Sequence, residues 1–173
     1  MIYIKNYSSP LGEMILAEKE NQLSGLWIHG QKYYLSTLQN KENEIEKRDT
    51  PLLQQTCRWL DRYFTGDMPA ISEIPMAPEG TYFRKSVWDI LCKIPYGKTI
   101  TYGEIAKQIA HRQKIPKMSA RAVGSAVSHN PISIIIPCHR VIGANGNLTG
   151  YAGGIDKKIW LLSHEHALET PLP

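Results

Sequence analysis

The chain has 173 residues, of which 42% are hydrophobic, so it can bury a sizeable core in one domain or in two small ones. Its formal net charge of +4 is compatible with a polyanionic partner but does not require one. No apolar run approaches about 18 residues, and no basic segment precedes an apolar run at the N-terminus, so neither a transmembrane helix nor a signal peptide is expected.

The first half of the chain is predicted to form strands followed by one helix. Apolar and β-branched residues fill 2–7 and 13–19 on either side of a Ser-Ser-Pro-Leu-Gly turn, and 23–28 makes a third candidate strand. Together they predict an antiparallel meander. Residues 40–49 are dense in charge and are predicted to form a solvated loop or a helix end. Hydrophobic residues at helical spacing over 52–64 predict an amphipathic helix.

An extended linker follows this helix, because three prolines and a glycine fall between residues 69 and 80. We place a domain boundary there. The prediction is an N-terminal domain over residues 1–80, including the linker, and a C-terminal domain over residues 81–173.

The second half begins with two predicted helices. Hydrophobic residues repeat at helical spacing from Phe83 to Ile94, and a Pro-Tyr-Gly sequence ends that helix. Thr101 and Glu104 have the spacing of a capping box, in which each side chain accepts from a free N–H of the first turn. A short helix through Ala110 should follow, and then a basic loop over residues 111–118.

Two more helices and two loops complete the chain. Ser119 can cap the next helix, which an Asn-Pro pair stops. The segment 132–136 is predicted to be a short apolar strand or an extended segment. Residues 143–154 hold five glycines and are predicted to be a loop. Asp156 is expected to cap a last helix that runs to about Ala167.

A helix-turn-helix is the candidate arrangement of the two short helices that follow the longer one. Its second helix is rich in small residues, which let a helix backbone approach a surface closely: Ala120, Ala122, Gly124, Ser125 and Ala126. DNA contact and close packing against another helix are both open from this pattern, although the basic loop favours DNA.

Cys138 is the candidate nucleophile. It stands in the run Ile-Pro-Cys-His-Arg-Val, before His139 and Arg140, and both neighbours can favour a thiolate. A thiolate is a soft nucleophile suited to attack on a saturated carbon. Cys57 and Cys92 lie on apolar helical faces, where a cysteine is usually a small buried hydrophobe. Three cysteines at wide spacing make disulfides and a zinc knuckle unexpected and favour a reducing cytoplasm.

His139 can serve Cys138 only if the chain bends there or a water bridges them, because neighbours in a regular strand point to opposite faces. A histidine base also needs an orienting partner, usually a carboxylate. The last helix offers Glu165 and Asp156, and these residues alone do not decide between them. A hydrolase of the Cys–His type is therefore still possible at this point.

The second half, over about residues 81–168, resembles the methylated-DNA–protein-cysteine methyltransferases, also called alkylguanine-DNA alkyltransferases, and the N-terminal part corresponds more weakly. The run from Ile136 to Ile142 matches the family's active-site signature throughout. Five further blocks match in the same order: Tyr102-Gly103, Arg121-Ala122-Val123-Gly124, Asn130-Pro131, Tyr151-x-Gly153-Gly154 and Trp160-Leu161-Leu162-x-His164-Glu165. The resemblance implies an α+β fold, with a small ribonuclease H-like antiparallel sheet and helix followed by a mostly helical winged-helix or helix-turn-helix domain.

The resemblance implies direct-reversal DNA repair. An alkyl group, typically methyl, passes irreversibly to Cys138 from O6 of a guanine that is flipped out of the duplex. O4 of thymine is a second target. His139 would act as base through a bridging water, and Glu165 would hold His139. The other implied residues are Asn130, which orients the turn before the active site, Tyr102 and Lys158, which assist the leaving guanine, and Tyr151, Val141, Ala152 and Gly153, which line the base pocket.

On the DNA side, the resemblance implies that the small-residue helix enters the minor groove of double-stranded DNA and that Arg121 fills the gap left by the flipped base. The implied contact residues are Arg121, Ala120, Ala122, Gly124 and Ser125. No cofactor, metal or membrane is expected. The protein is expected to react once, as a monomer, in the cytoplasm and on the nucleoid, or in the nucleus of a eukaryote.

Two departures from the family pattern are visible. Ala152 stands where some members have serine, so a side-chain hydrogen bond to the guanine oxygen is not available there. The loop 111–118 is longer and more basic than in some members.

The presence of Cys138 argues against alkyltransferase-like proteins that lack this cysteine. The alternatives are a non-catalytic helix-turn-helix module that binds DNA or regulates, and the Cys–His hydrolase.

Overall fold

The computed structural model describes residues 1–168, which divide into two compact units. The first unit combines Met1–Glu79 with the segment Pro131–Ile135, and the second comprises Gly80–Asn130 and the described residues from Ile136 to Leu168. Among the helices of this described part, none has the length and apolar character needed to cross a bilayer.

The first unit contains a mixed four-stranded sheet. Its strands are β1 (Ile2–Ser9), β2 (Gly12–Lys19), β3 (Gln22–Ile28) and β4 (Ile45–Lys47). The spatial order is β3-β2-β1-β4, and the first three strands form the predicted antiparallel meander. The prediction of a loop or helix end over 40–49 is wrong for β4, which pairs in parallel with β1. A short, charged edge strand of this kind discourages pairing with another chain.

The other edge of the sheet is covered within the same unit. Leu23 N donates to the carbonyl of Pro75, and Leu26 N donates to the carbonyl of Pro131, both at 2.8 Å. Ser133 N returns a hydrogen bond to the carbonyl of Leu26 at 2.9 Å. The predicted extended segment 132–136 therefore contributes one isolated parallel bridge to β3 rather than a full strand.

Helix α1 (Pro51–Phe64) packs on this sheet as the sequence predicts. Thr50 is the N-cap, its hydroxyl accepts from Leu53 N, and Pro51 occupies the first turn, where no N–H is needed. Gly66 adopts a left-handed φ of 101° just after the helix ends.

The second unit is mostly helical, as predicted. It contains α2 (Tyr82–Leu91), α3 (Tyr102–Gln113), α4 (Ala120–Ser128), α5 (Ile155–His164), and a parallel pair made of β5 (Ile100–Thr101) and β6 (Val141–Ile142). Helix α4 packs against both α2 and α3.

Helix ends differ from the sequence predictions at four places. Helix α2 stops before Ile94, and α3 continues past Ala110. Helix α5 ends before the predicted Ala167, and its N-cap is Gly154 at φ 98° rather than Asp156. Asp156 lies in the first turn instead, where a carboxylate is still favoured by the helix dipole.

Specific hydrogen bonds stabilise the start of α3 and the position of α4. The predicted capping box is present, since Glu104 N donates to the Thr101 hydroxyl at 3.1 Å and Thr101 N donates to the Glu104 carboxylate at 2.7 Å. The buried Trp88 indole donates to the carbonyl of Ala126 at 2.9 Å, which ties α2 to α4.

Candidate active site

Cys138 lies in a bend between an apolar segment and β6. Residues Cys138–Arg140 form a single 3-10 turn, and Pro137 before it has φ −82° and ψ 65°. Cys138 N donates to the carbonyl of Ile136 at 2.8 Å, which closes a second tight turn around the proline. The condition set by the sequence, that the chain bend between Cys138 and His139, is therefore met.

A fully buried carboxylate joins the two residues that follow the cysteine. Glu165, immediately after α5, has Oε2 at 2.6 Å from Nε2 of His139. Its other oxygen accepts from Nε of Arg140 at 2.7 Å. Of the two carboxylates that the sequence left open, the structure brings Glu165 to His139.

Arg140 contributes more than the sequence indicated. Its second nitrogen donates to the carbonyl of Ile94 at 2.7 Å, and its guanidinium lies 5.6 Å from the ring centre of Tyr96. These contacts hold the guanidinium beside Glu165, so the carboxylate has a permanent positive neighbour. Sequence reasoning gave Arg140 only a role in favouring the thiolate, because Ile94 and Glu165 are distant from it along the chain.

The protonation states of this cluster follow from its surroundings. Burial would raise the pKa of Glu165, but the hydrogen bonds from His139 and Arg140, with the positive charge of Arg140, outweigh it and hold that pKa well below its ordinary value. Burial lowers the pKa of His139, and Glu165 only partly opposes this shift. The resting site therefore holds an ionised carboxylate and a neutral imidazole.

The neutral imidazole has one nitrogen available. With Nε2–H donating to Glu165, the lone pair of His139 resides on Nδ1. Among the described residues, Nδ1 of His139 and the hydroxyl of Tyr151 are buried polar atoms without a hydrogen-bond partner in this unit. Nδ1 is thus positioned to accept a proton, directly or through a water.

The thiol of Cys138 is almost fully buried, with 4% of its surface exposed. Burial raises its pKa, while Asn130 and the positive charge of Lys158 partly oppose the shift. Asn130 also donates from Nδ2 to the carbonyl of Ile136 at 2.8 Å, so it holds the turn that leads to the cysteine. A buried neutral thiol of this kind needs a base before it can attack.

Lys158 and Tyr102 converge on the glycine-rich loop. The fully buried ammonium of Lys158 donates to the carbonyls of Val141 at 2.5 Å and Thr149 at 3.1 Å. The Tyr102 hydroxyl donates to the same Thr149 carbonyl at 3.1 Å. Burial lowers the pKa of Lys158 to about 8 and raises that of Tyr102 to about 12. Both groups are therefore already engaged in holding the loop.

The residues proposed for the base pocket differ in exposure. Val141 and Tyr151 are buried, whereas Ala152 and Gly153 are partly exposed. Burial raises the pKa of Tyr151 well above its ordinary value, so its hydroxyl stays a donor.

Helix α4 presents a face of small residues. Ala120, Arg121 and Ser125 are exposed, Ala122 and Gly124 are partly exposed, and Val123, Ala126 and Val127 are buried. Ser119 caps the helix by accepting from Ala122 N at 3.2 Å, as predicted. One face of α4 packs inside the unit, as the close-packing interpretation expects, and the other face is open to solvent.

No three histidine, cysteine, aspartate or glutamate side chains cluster to form a metal site among residues 1–168.

Known protein families match both halves of the chain. The model of the "6-O-methylguanine DNA methyltransferase, ribonuclease-like domain" matches residues 2–78, and that of the "6-O-methylguanine DNA methyltransferase, DNA binding domain" matches residues 82–167. Together they span most of the sequence.

Similar full-length proteins carry one name. A methylated-DNA–protein-cysteine methyltransferase of Methanosarcina acetivorans is 45% identical over 165 residues, covering 95% of this chain and 98% of the relative. One of Mycobacterium leprae is 41% identical over 174 residues, covering 99% and 98%. The crystal structure of Mycobacterium tuberculosis OGT in complex with DNA matches with a TM-score of 0.80 at 38% identity, covering 95% of this chain and 93% of that one.

Proposed function

Since the chain belongs to the 6-O-methylguanine DNA methyltransferase family, whose members act in direct-reversal DNA repair, we propose that Cys138 is its alkyl acceptor. The observation that carries the proposal is the hydrogen bond from His139 Nε2 to Glu165. It leaves Nδ1 of a neutral imidazole as the base, on the residue that follows the buried Cys138 in the chain.

The relay we propose runs from Cys138 through a water to His139 and ends at Glu165. His139 takes the thiol proton by way of the water, and ionised Glu165 stabilises the imidazolium that results. Arg140 keeps Glu165 ionised and oriented and is therefore a positioning residue. Because the Cys138 thiol is buried, the thiolate forms where bulk water is excluded and its nucleophilicity is high.

The transfer itself forms one bond and breaks one bond. The Cys138 sulfur bonds to the alkyl carbon, the bond from that carbon to guanine O6 breaks, and its electron pair goes to the oxygen. Tyr102 and Lys158 are the donors proposed to stabilise that negative charge, and both donate to the Thr149 carbonyl in the structure. A thioether is stable, so one protein molecule is consumed for each lesion.

The DNA partner we propose is duplex DNA approached from its minor groove. The open face of α4 carries only small side chains besides Arg121, so the helix backbone can come close to the groove. The small residues are Ala120, Ala122, Gly124 and Ser125. The exposed Arg121 would enter the stack where the target base was, which offsets part of the few kcal/mol needed to flip it. Tyr151, Val141, Ala152 and Gly153 would contact the flipped base.

We propose that residues 81–173 carry out alkyl transfer and DNA binding and that residues 1–80 act as a scaffold. The protein would act as a monomer in the cytoplasm, where its three free cysteines stay reduced.

Intact-mass measurement after mixing with duplex containing O6-methylguanine tests the proposal. The protein should gain one methyl group, located on Cys138, and the Cys138→Ala variant should gain none. A Cys57→Ala, Cys92→Ala double variant is the matched control and should react like the unaltered protein.

Demethylation of the DNA by Cys138→Ala would overturn the assignment. Repeated turnover of an ester or amide substrate would support the hydrolase, and DNA binding without any methyl gain would support the non-catalytic module.

A further inference from the structure

The chain has a long stretch without negative charge. No aspartate or glutamate occurs between Glu104 and Asp156, whereas six lysines and arginines do. Arg140 is buried at the active site. Three of the others, Arg112, Lys114 and Lys117, lie at the end of α3 and in its connection to α4.

These three cations are exposed and unpaired. All have side chains open to solvent, and none takes part in an ion pair within residues 1–168. The exposed salt bridges found among residues 1–168 all lie in the first unit, for example Arg62 with Glu73. Three unpaired cations therefore fall within six positions of the chain, beside the helix-turn-helix.

Lys114 also has an unusual backbone. Its N–H donates to the carbonyl of His111 and that of Ile115 donates to the carbonyl of Ala110, the two hydrogen bonds of a Schellman motif. The motif requires a left-handed residue, and Lys114 has φ 54° and ψ 42°. Glycine or asparagine normally fills this position, because a side chain is strained there. Lys114 therefore places a positive charge at a position where glycine would be less strained.

We propose that the α3–α4 connection is an arm that binds DNA phosphates, with Arg112, Lys114 and Lys117 contacting the backbone beside the segment that α4 enters. The inference rests on the proposed function of α4. It adds a partner surface that α4 itself does not supply. The arm leads into the N-terminus of α4, where free N–H groups and the helix dipole also favour a phosphate.

Salt dependence of binding to a short unmodified duplex tests the arm. Each lost phosphate contact lowers the slope of log K against log salt by about 0.9. The Lys114→Gln, Lys117→Gln double variant should therefore lower the slope by about 1.8, so that its affinity falls about twelvefold less than that of the unaltered protein between about 50 and 200 mM salt.

The matched control is Lys93→Gln, Lys98→Gln, which removes the same charge from exposed lysines on the loop after α2. Its slope should stay unchanged. Equal slopes in all three proteins would overturn the proposal, because they would mean that the arm makes no phosphate contact. An equal drop of the slope in both double variants would also overturn it, because it would show a general effect of charge.

Lys114→Gly separates charge from folding. It should raise the thermal midpoint by about 2 °C because the left-handed strain is relieved, yet lower the salt slope by about 0.9. A variant that is more stable and binds with an unchanged slope would overturn the role of Lys114.

Methyl transfer from free O6-methylguanine keeps this test separate from the proposed function. The arm variants should react with the free base like the unaltered protein. If the unaltered protein itself gains no methyl, the proposed function fails, whatever the slopes are.

Discussion

His139 and Glu165 meet through one nitrogen and one oxygen, 2.6 Å apart, and the second oxygen of the carboxylate is already occupied by Arg140. The imidazole is thereby fixed in one tautomer, with Nδ1 as its only free nitrogen. This single contact decides which atom can act as base and makes the state of Glu165 the first property to test.

Glu165→Gln should slow methyl transfer to Cys138 by about 100-fold or more, because an amide cannot stabilise the imidazolium. The measurement is the single-turnover rate on the free base, followed by intact mass. Asp156→Asn, on the same helix but in its first turn, is the control and should leave the rate unchanged. An unaltered rate in Glu165→Gln would remove Glu165 from the relay.

Acid should weaken the same contact. Since the pKa of Glu165 lies below its ordinary value of 4.5, its ionised form stabilises the folded protein above that pH, and this stability is lost as the pH falls further. The difference in unfolding free energy between the unaltered protein and Glu165→Gln should shrink below about pH 4.5, by at most about 1.4 kcal/mol per pH unit.

Urea unfolding at several pH values between about 7 and 3 measures this difference. A gap between unaltered protein and Glu165→Gln that is the same at every pH would contradict the lowered pKa.

The lowered pKa of Lys158 predicts that methyl transfer slows at alkaline pH. Its pKa of about 8 means that its ammonium becomes neutral in the folded protein above that pH and holds the carbonyls of Val141 and Thr149 less strongly. Transfer from the free base should therefore decline above about pH 8. Lys158→Met should be slow throughout and lack this decline, and a decline that persists in Lys158→Met belongs to another group.

Arg121→Ala should affect duplex and free base differently. Loss of a side chain that fills the vacated stack should slow repair of duplex DNA by about tenfold or more, since about 1.4 kcal/mol corresponds to a factor of ten in rate. Transfer from the free base should change less than about twofold. Equal losses on both substrates would show that Arg121 does not act in the stack.

Gly124→Ala should stabilise the fold and impair duplex repair. A β-carbon at Gly124 would lie 3.8 Å from the Tyr102 ring, an ordinary contact, and alanine favours a helix by up to about 1 kcal/mol. The same methyl group would hold α4 away from the groove. Thermal unfolding and duplex repair rates measure the two effects, and full duplex activity in a more stable variant would contradict the close approach.

Much of this fold could be predicted because its signals are local. The helical spacing of hydrophobic residues, the capping pair Thr101 and Glu104 and the N-cap Ser119 each act within one or two turns. The α+β class, the helical second unit and the family were all predicted correctly. Strand β4 was missed because three charged or β-branched residues carry no periodic signal and pair with a strand more than 40 residues earlier.

The candidate site was predictable in its parts but not in its connections. Cys138 and His139 stood out by residue type, whereas the choice of Glu165 over Asp156 depended on the family motif until the fold brought it to His139. The hydrogen bond from Arg140 to the Ile94 carbonyl spans 46 positions, and no spacing rule reveals it.

The indole of Trp88 in α2 donates a hydrogen bond to the Ala126 carbonyl of α4. This hydrogen bond and the packing against α2 and α3 restrain the position of α4 within its unit. On the proposed function, the duplex therefore has to supply the movement, and its local stiffness sets how quickly a lesion is found. Lesions flanked by easily unstacked steps should be repaired first, although the protein makes no contact that identifies those neighbouring bases.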